Sequence, residues 1–277
     1  MASIVTIASA VIPYVDLPPV RVGPLVIAPY GALLVTGILA GLVVCVLRAR
    51  SHGLSVREAF DAFWWAVMGG AVGAHLLQIL AYRPELLATR GWRALVDPGA
   101  GVSSFGAFAG GVGLLLLRLR AAGKAAAPYL DLVVECLVVG WGIGRVGCAL
   151  AHDHPGQLTT FPLAVAYPDG PRHDLGLYEA AYTIFVLLPA LIVTRGGLPG
   201  SETVVVALLY APARFLLDFL RATDLPGSDP RYLGLTAAQY GCITLLITAG
   251  WLARRLREQP APLDSTRLDS KSGDGVG

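Results

Sequence analysis

Apolar residues gather along this chain in long runs, separated by short polar stretches that carry most of the charge. Seven runs reach or approach the roughly 20 residues a helix needs to cross a bilayer. They are roughly Ile27–Leu47, Phe60–Tyr82, Ser104–Leu119, Tyr129–Leu150, Gly176–Thr194, Glu202–Leu220 and Thr236–Ala253. The third is Gly-rich and short for a full span. None alternates with a period of two, and all exceed the ~10-residue strands of a membrane barrel. The pattern predicts an all-α polytopic membrane protein, a bundle of about seven transmembrane helices over residues 27–253.

The flanks read differently. Residues 1–26 contain Pro13, Pro18, Pro19 and Asp16 and have no basic region at the start. That argues against a spanning helix and against a standard signal peptide, and leaves an extracytoplasmic segment. Residues 254–277 are polar and rich in Ser, Asp and Pro, as expected of a disordered cytoplasmic tail. Lys and Arg are in excess on the side of the Arg48–Arg57 turn, the Arg118–Lys124 turn and the tail. By the positive-inside rule the N-terminus is outside and the C-terminus cytoplasmic.

Composition agrees. Of 277 residues, 55% are hydrophobic and 14% charged, where a soluble domain carries about 25% charged. A net charge of +2 lacks the basic excess that nucleic acid binding requires. The 33 glycines suit membrane helices in close contact. Cys45, Cys136, Cys148 and Cys242 lie in or beside apolar runs with no CxxC spacing, so they read as packed small residues, not as a disulfide framework or zinc ribbon.

Two arginines lie inside the apolar runs, where a charge costs about 2.5–3.5 kcal/mol on insertion scales and is kept when it pairs or meets a ligand. Arg214 shares a helix face with Tyr210 and Asp218, at i−4 and i+4, and Pro212 is expected to kink that helix. Arg145 stands among Gly140, Gly144 and Gly147, which allow close approach of a backbone or a lipid head group, just before the polar turn His152-Asp153-His154-Pro155-Gly156. A guanidinium matches phosphate oxygens bidentately and keeps its proton. Two such groups in a membrane pocket point to capture of a phospholipid head group; the alternative for Arg214 is a structural ion pair with Asp218.

The stretch from Gly144-Arg145 to Gly156 resembles the signature G-R-x-x-N-F-x-N-x-E-x-x-G of the prolipoprotein diacylglyceryl transferase family. Asp153 takes the place of the Glu, while Cys148, Ala149 and Ala151 replace Asn, Phe and Asn. Four further stretches resemble the family in its order: Tyr30-Gly31, His173 to Tyr178-Glu179, Tyr210-x-x-x-Arg214-Phe215-x-x-Asp218-x-x-Arg221, and Leu235-Thr236-x-x-Gln239. The family's S-F-H-G-G motif aligns with Ser103-Ser104-Phe105-Gly106-Ala107, so Phe105 stands where the family has a histidine. In the second run His75 stands at the family's usual arginine.

The resemblance implies a multi-pass enzyme of the bacterial plasma (inner) membrane. Such an enzyme moves a diacylglyceryl group from phosphatidylglycerol to the lipobox cysteine of a preprolipoprotein signal peptide and releases glycerol-1-phosphate, with no metal or organic cofactor. Arg145 and Arg214 would hold the phosphate and stabilise it as it leaves. Asp153 and Asp218 would orient the arginines or the glycerol hydroxyls. Tyr30 and Tyr210 would donate hydroxyls, Gly144 would admit the head group, and Tyr178-Glu179 would brace the fifth helix. With Phe105 at the family's histidine, His75, His152 and His154 are the candidate general bases. Three other readings stay open: a paralogue that binds phospholipid without transfer, a transferase with another acceptor, and a zinc site among His152, Asp153, His154, His173 and Asp174.

Overall fold

The computed structural model describes residues 12–258 apart from Pro24 and Gly227. The protein is mainly helical. The helices are α1 (Pro29–Arg48), α2 (Val56–Leu77), α3 (Glu85–Arg90), α4 (Ser104–Ala121), α5 (Ala127–Ala151), α6 (Leu175–Tyr182), α7 (Leu188–Thr194), α8 (Ser201–Leu217) and α9 (Ala237–Arg257). Six helical segments are long and apolar enough to cross a membrane: Pro29–His52, Val56–Tyr82, Ser104–Ala121, Ala127–Ala151, Leu175–Thr194 and Ser201–Leu220. The protein is therefore a multi-pass helical membrane protein. The 21 residues of α9 are long enough, but Gln239, Thr244, Thr248 and the terminal arginines make it too polar to join the six.

Local sequence explains several boundaries that apolar runs alone blur. α2 starts at Val56, not near Phe60, because Ser55 and Glu58 form a reciprocal capping box. α9 starts behind a second box, Thr236 with Gln239, and runs on to Arg257, past the expected end at Ala253. The fifth span passes through a π-helical turn, Thr183–Leu187, just before Pro189, whose missing N–H the wider turn accommodates. The helix stays continuous through Pro212. The expected tail from residue 259 onward, and residues 1–11 of the N-terminal segment, lie outside the described residues.

The all-α expectation holds for the bundle, and short strands accompany it at one end. Seven short strands occur among the described residues. β1 (Val20–Val22) and β2 (Leu25–Ile27) form a hairpin before α1. β3 (Pro155–Leu158), β4 (Val165–Tyr167) and β5 (Gly170–Asp174) form an antiparallel sheet in the order β3-β5-β4 between α5 and α6. β6 (Arg231–Tyr232) and β7 (Leu235–Thr236) pair before α9. These strands are too short for alternation to reveal them, and one is organised by a charge. Arg172 on β5, 2% exposed, binds Asp169, Asp224 and the Gly156 carbonyl. The guanidinium holds both carboxyls below the usual carboxylate range.

The bundle is closed by backbone contact at glycine. α1 packs along α5 and α2 along α4. A methyl group on Gly37 would lie 2.6 Å from the Gly140 carbonyl oxygen, and one on Gly73 would lie 2.3 Å from that of Gly106. Gly73→Ala must therefore push two backbones apart, with a cost expected at about 1–3 kcal/mol. Gly113→Ala on the same helix pair meets nothing within 4 Å. Thermal unfolding in detergent should show Gly73→Ala destabilised and Gly113→Ala unchanged; equal behaviour would refute this packing.

The two ends differ chemically. At the end away from the β3–β5 sheet, Glu135 is fully buried and takes two hydrogen bonds from Arg48 Nε and Nη2, at 2.8 Å each, with Arg195 3.5 Å away. Asp131 caps α8 from outside, accepting from Gly200 N at 2.6 Å and Thr203 N at 2.8 Å. The sheet end, where α5 finishes and α6 begins, holds the candidate site.

Candidate active site

Three helices and the turn that follows one of them bring four charges together inside the bundle. Arg145 comes from the last third of α5, Glu179 from α6, Arg214 from α8, and Asp218 from the turn that follows it. All are buried, none more than 3% exposed. Glu179 lies between the guanidiniums: Oε2 is 3.0 Å from Arg145 Nε and Oε1 is 3.4 Å from Arg214 Nε. Arg214 Nη1 donates to Asp218 Oδ1 at 2.6 Å, the i, i+4 pair expected. Thr236 Oγ1 donates to the other Asp218 oxygen, and Gln239 Nε2 reaches the Phe215 carbonyl at 3.2 Å. The start of α9 thus fixes the acid that fixes Arg214.

The pairing leaves hydrogen-bonding capacity inside the site. The Arg145–Glu179 and Arg214–Glu179 contacts are ion pairs without aligned hydrogen bonds. Both Glu179 oxygens, Arg145 Nε, Arg214 Nε, Trp141 Nε1 and the Tyr210 hydroxyl are buried without a hydrogen-bond partner. Nearly all buried polar groups in folded proteins find partners, and each exception calls for a reason. Here the exceptions converge on two guanidiniums, the groups best suited to seat a phosphate. Arg145 stacks its guanidinium 4.1 Å from the centre of the Trp141 ring, which keeps it planar and in place. Tyr210 stands edge-on to Trp141 and Phe108.

The other expected residues fall into three groups. Gly144 has nothing within 4 Å of where a side chain would start, so the helix face beside Arg145 is open. Tyr30 begins α1 half-buried against Gly147, within reach of the same end of α5. Asp153, expected to orient the arginines or the glycerol hydroxyls, pairs with His154 and bonds neither arginine. Glu179, expected only to brace a helix, does that work, and Tyr178 is the brace, bonding His173 and the Leu163 carbonyl.

The histidines separate too. His152 Nδ1 is 3.0 Å from Asp174 Oδ2, and its ring stacks on Tyr14. His75 contacts the Leu95 carbonyl at 3.0 Å. His173 sits beside Tyr178, where burial pulls its pKa below the ordinary histidine value. The five loop residues weighed as zinc ligands therefore do not assemble. Phe105 is 7% exposed and packs in the apolar cluster of Tyr210, Ala211, Ala238 and Cys242, with its ring against Gly241.

Glu179, Trp141, Thr236 and Gln239 belong to the site without having been expected there. Glu179 had a signal: it is the one charged residue in the apolar run from Leu175 to Thr194, and the rule that singles out the two arginines applies to it equally.

The chain is thus a multi-pass helical membrane protein with a buried, arginine-rich polar centre at one end of its bundle. The profile of the prolipoprotein diacylglyceryl transferase family matches residues 19–254, and the chain belongs to that family of transferases. Curated relatives carry the name phosphatidylglycerol–prolipoprotein diacylglyceryl transferase. That of Nitratidesulfovibrio vulgaris (strain DSM 19637 / Miyazaki F) is 29% identical over 252 residues, covering 88% of this chain and 95% of the relative. That of Rhizobium leguminosarum bv. trifolii (strain WSM2304) is 28% identical, covering 91% and 96%. That of Gloeobacter violaceus (strain ATCC 29082 / PCC 7421) is 26% identical, covering 88% and 95%.

Proposed function

We propose that this protein transfers the diacylglyceryl group of phosphatidylglycerol to the lipobox cysteine thiol of a prolipoprotein in the bacterial plasma membrane. The observation that carries the reading is the buried Arg145–Glu179–Arg214 centre, in a chain that the family profile matches nearly end to end. The reaction is displacement at carbon: sulfur forms the new bond, and the old carbon–oxygen pair leaves on glycerol-1-phosphate. Arg145 and Arg214 seat the phosphate and stabilise charge that grows as the bond breaks. Tyr210 and Trp141 are further donors, and Asp218, Thr236 and Gln239 hold Arg214 in place. The open face at Gly144 admits the head group.

In this reading α9 is a seventh crossing. Its Ile243, Ile247 and Trp251, spaced i, i+4 and i+8, are exposed on one face and suit lipid contact. The N-terminus and the β3–β5 sheet then face outside, residues 27–253 form the transferase domain, and the chain's end is cytoplasmic. Single-cysteine accessibility labelling should find position 154 reactive from outside and position 57 protected; the reverse pattern would invert the orientation.

One observation favours a second reading, binding of phospholipid without transfer: Phe105, with no polar atom, stands at the family's histidine position. Expression in a strain depleted of its own diacylglyceryl transferase separates the two. The transferase reading expects growth and a lipidated prolipoprotein pool, and the binding reading expects neither.

A further inference from the structure

The arginine centre leaves one step without a residue: removal of the proton from the acceptor sulfur. A free thiol has a pKa of about 8.5, so only a few per cent is thiolate at neutral pH. The centre supplies positive charge and no free base, because Glu179 is engaged by two guanidiniums and Asp218 by Arg214 and Thr236.

A second polar group stands on the same two helices as Arg145 and Glu179, nearer the β3–β5 sheet. His152 ends α5, and Asp174 opens α6. Gly176 lets the two ends meet: a methyl group there would lie 2.8 Å from the Ala149 nitrogen and 2.9 Å from the Cys148 carbonyl carbon. Asp174, 1% exposed, then lies beside the imidazole. Its Oδ1 accepts from Leu177 N at 2.9 Å, and its Oδ2 accepts from the Tyr167 hydroxyl and from His152 Nδ1, each at 3.0 Å. Burial and the Asp174 carboxylate raise the Tyr167 pKa, so the phenol stays a donor. A carboxylate only accepts, so Nδ1 carries the hydrogen and Nε2 keeps its lone pair. Nε2 is buried and has no hydrogen-bond partner. Tyr14 stacks on the ring at 4.0 Å and Tyr167 meets it edge-on at 5.3 Å, which fixes the ring plane. We propose that His152, oriented by Asp174, is the base that takes the proton of the acceptor thiol. This role rests on the transferase reading.

Three observations single out His152. Its backbone is left-handed, φ 50°, a conformation that residues other than glycine adopt at a cost and that gathers at functional sites. Its two nitrogens are divided as a general base requires, one held by a carboxylate and one free. His52 also has a buried, unpartnered Nε2, but lies beside Glu135 at the other end of the bundle. His154 is turned onto Asp153, and His75 and His173 contact the Leu95 carbonyl and the Tyr178 hydroxyl. The spacing also fits. Arg145 Nη1 is 3.7 Å from Cys148 Sγ, and Cys148 lies one helical turn before His152, about 6 Å along the axis. That gap has the length of a phosphate ester with a sulfur in line behind its carbon. The thiol meets Nε2 when Tyr14 slides off the ring; Tyr14 belongs to the segment before β1, which joins the sheet at the Ile12–Val165 bridge.

The step balances. Nε2 takes the thiol proton, the sulfur electron pair forms the bond to the glycerol carbon, and the carbon–oxygen pair leaves on the phosphate held by Arg145 and Arg214. The imidazolium, paired with Asp174, returns its proton to water after the products leave.

The test compares two lipobox peptides in the lipidation assay, one with cysteine and one with selenocysteine, using full-length protein in detergent under reducing conditions. A selenol is ionised at neutral pH and needs no base. Glycine adopts φ 50° freely, so His152→Gly removes the imidazole and keeps the turn. It should lower turnover of the cysteine peptide by at least about 10²-fold, the scale of general-base catalysis, and that of the selenocysteine peptide by less than about threefold. Free imidazole should raise the lost cysteine rate of His152→Gly at least about tenfold. Asp174→Asn should show a milder form of the same pattern. The α6 cap needs its oxygen, so the new amide N–H points at His152 Nδ1 and places the ring hydrogen on Nε2. Wild-type turnover of the cysteine peptide by His152→Gly, or an equal loss on the two peptides, overturns the base role while the transferase reading stands. Wild-type protein that binds phosphatidylglycerol and alkylates neither peptide fails that reading and the base role together.

Discussion

Arg145→Ala and Arg214→Ala should each lower turnover by at least about 10²-fold, the scale of losing one preorganised donor to a developing oxyanion. The two guanidiniums lie in one buried centre, spanned by a single carboxylate, and work in a medium that screens charge poorly. Their contacts strengthen as the phosphate ester takes up charge, so the loss should fall mainly on kcat and less on KM. Arg→Lys should recover little at either position. At 145 a lysine keeps the charge but gives up the planar fork on the Trp141 ring. At 214 it cannot point at Glu179 and Asp218 and still offer two donors to phosphate. Lipidation of a lipobox peptide, followed by mass shift, measures all four variants. A variant that inserts normally and turns over at the wild-type rate would remove that arginine from the mechanism.

Glu179→Ala should be the most destabilising single change in the site. It leaves Arg145 buried with no anion and Arg214 with Asp218 alone. Removing one partner from a buried ion pair typically costs about 3–5 kcal/mol, because the stranded charge has no water to return to. Glu179→Gln keeps the shape and an acceptor oxygen, so it should cost less. The variants should also respond differently to ligand. With the internal carboxylate gone, an anionic lipid is the remaining source of neutralisation, so phosphatidylglycerol should raise the melting temperature of Glu179→Ala more than that of wild type. Equal melting of the two proteins without lipid would show that Glu179 does not balance the arginines.

Most of the membrane fold was legible in the sequence because bilayer thickness imposes a length on every apolar run. Six of the seven expected runs are long and apolar enough to span. Their ends were less legible, since capping boxes at Ser55 and Thr236 shift them independently of hydropathy. The β3–β5 sheet was not legible at all. Its strands are three to five residues long, and a buried Arg172 organises it through partners 3 and 52 residues away in the chain. In the site, Arg145, Arg214 and Asp218 were visible as charges in apolar runs. Glu179 was visible by the same rule but read as a brace, because one helix seen alone does not show what faces it.

Transfer of the diacylglyceryl group, and not binding of lipid alone, is the activity proposed for this chain. The most direct measurement incubates purified wild-type protein with phosphatidylglycerol and a lipobox peptide and follows both products by mass spectrometry. A peptide heavier by one diacylglyceryl group and an equal amount of released glycerol-1-phosphate are expected. Phosphatidylglycerol that binds and protects the protein from unfolding, with no change in peptide mass, would contradict it.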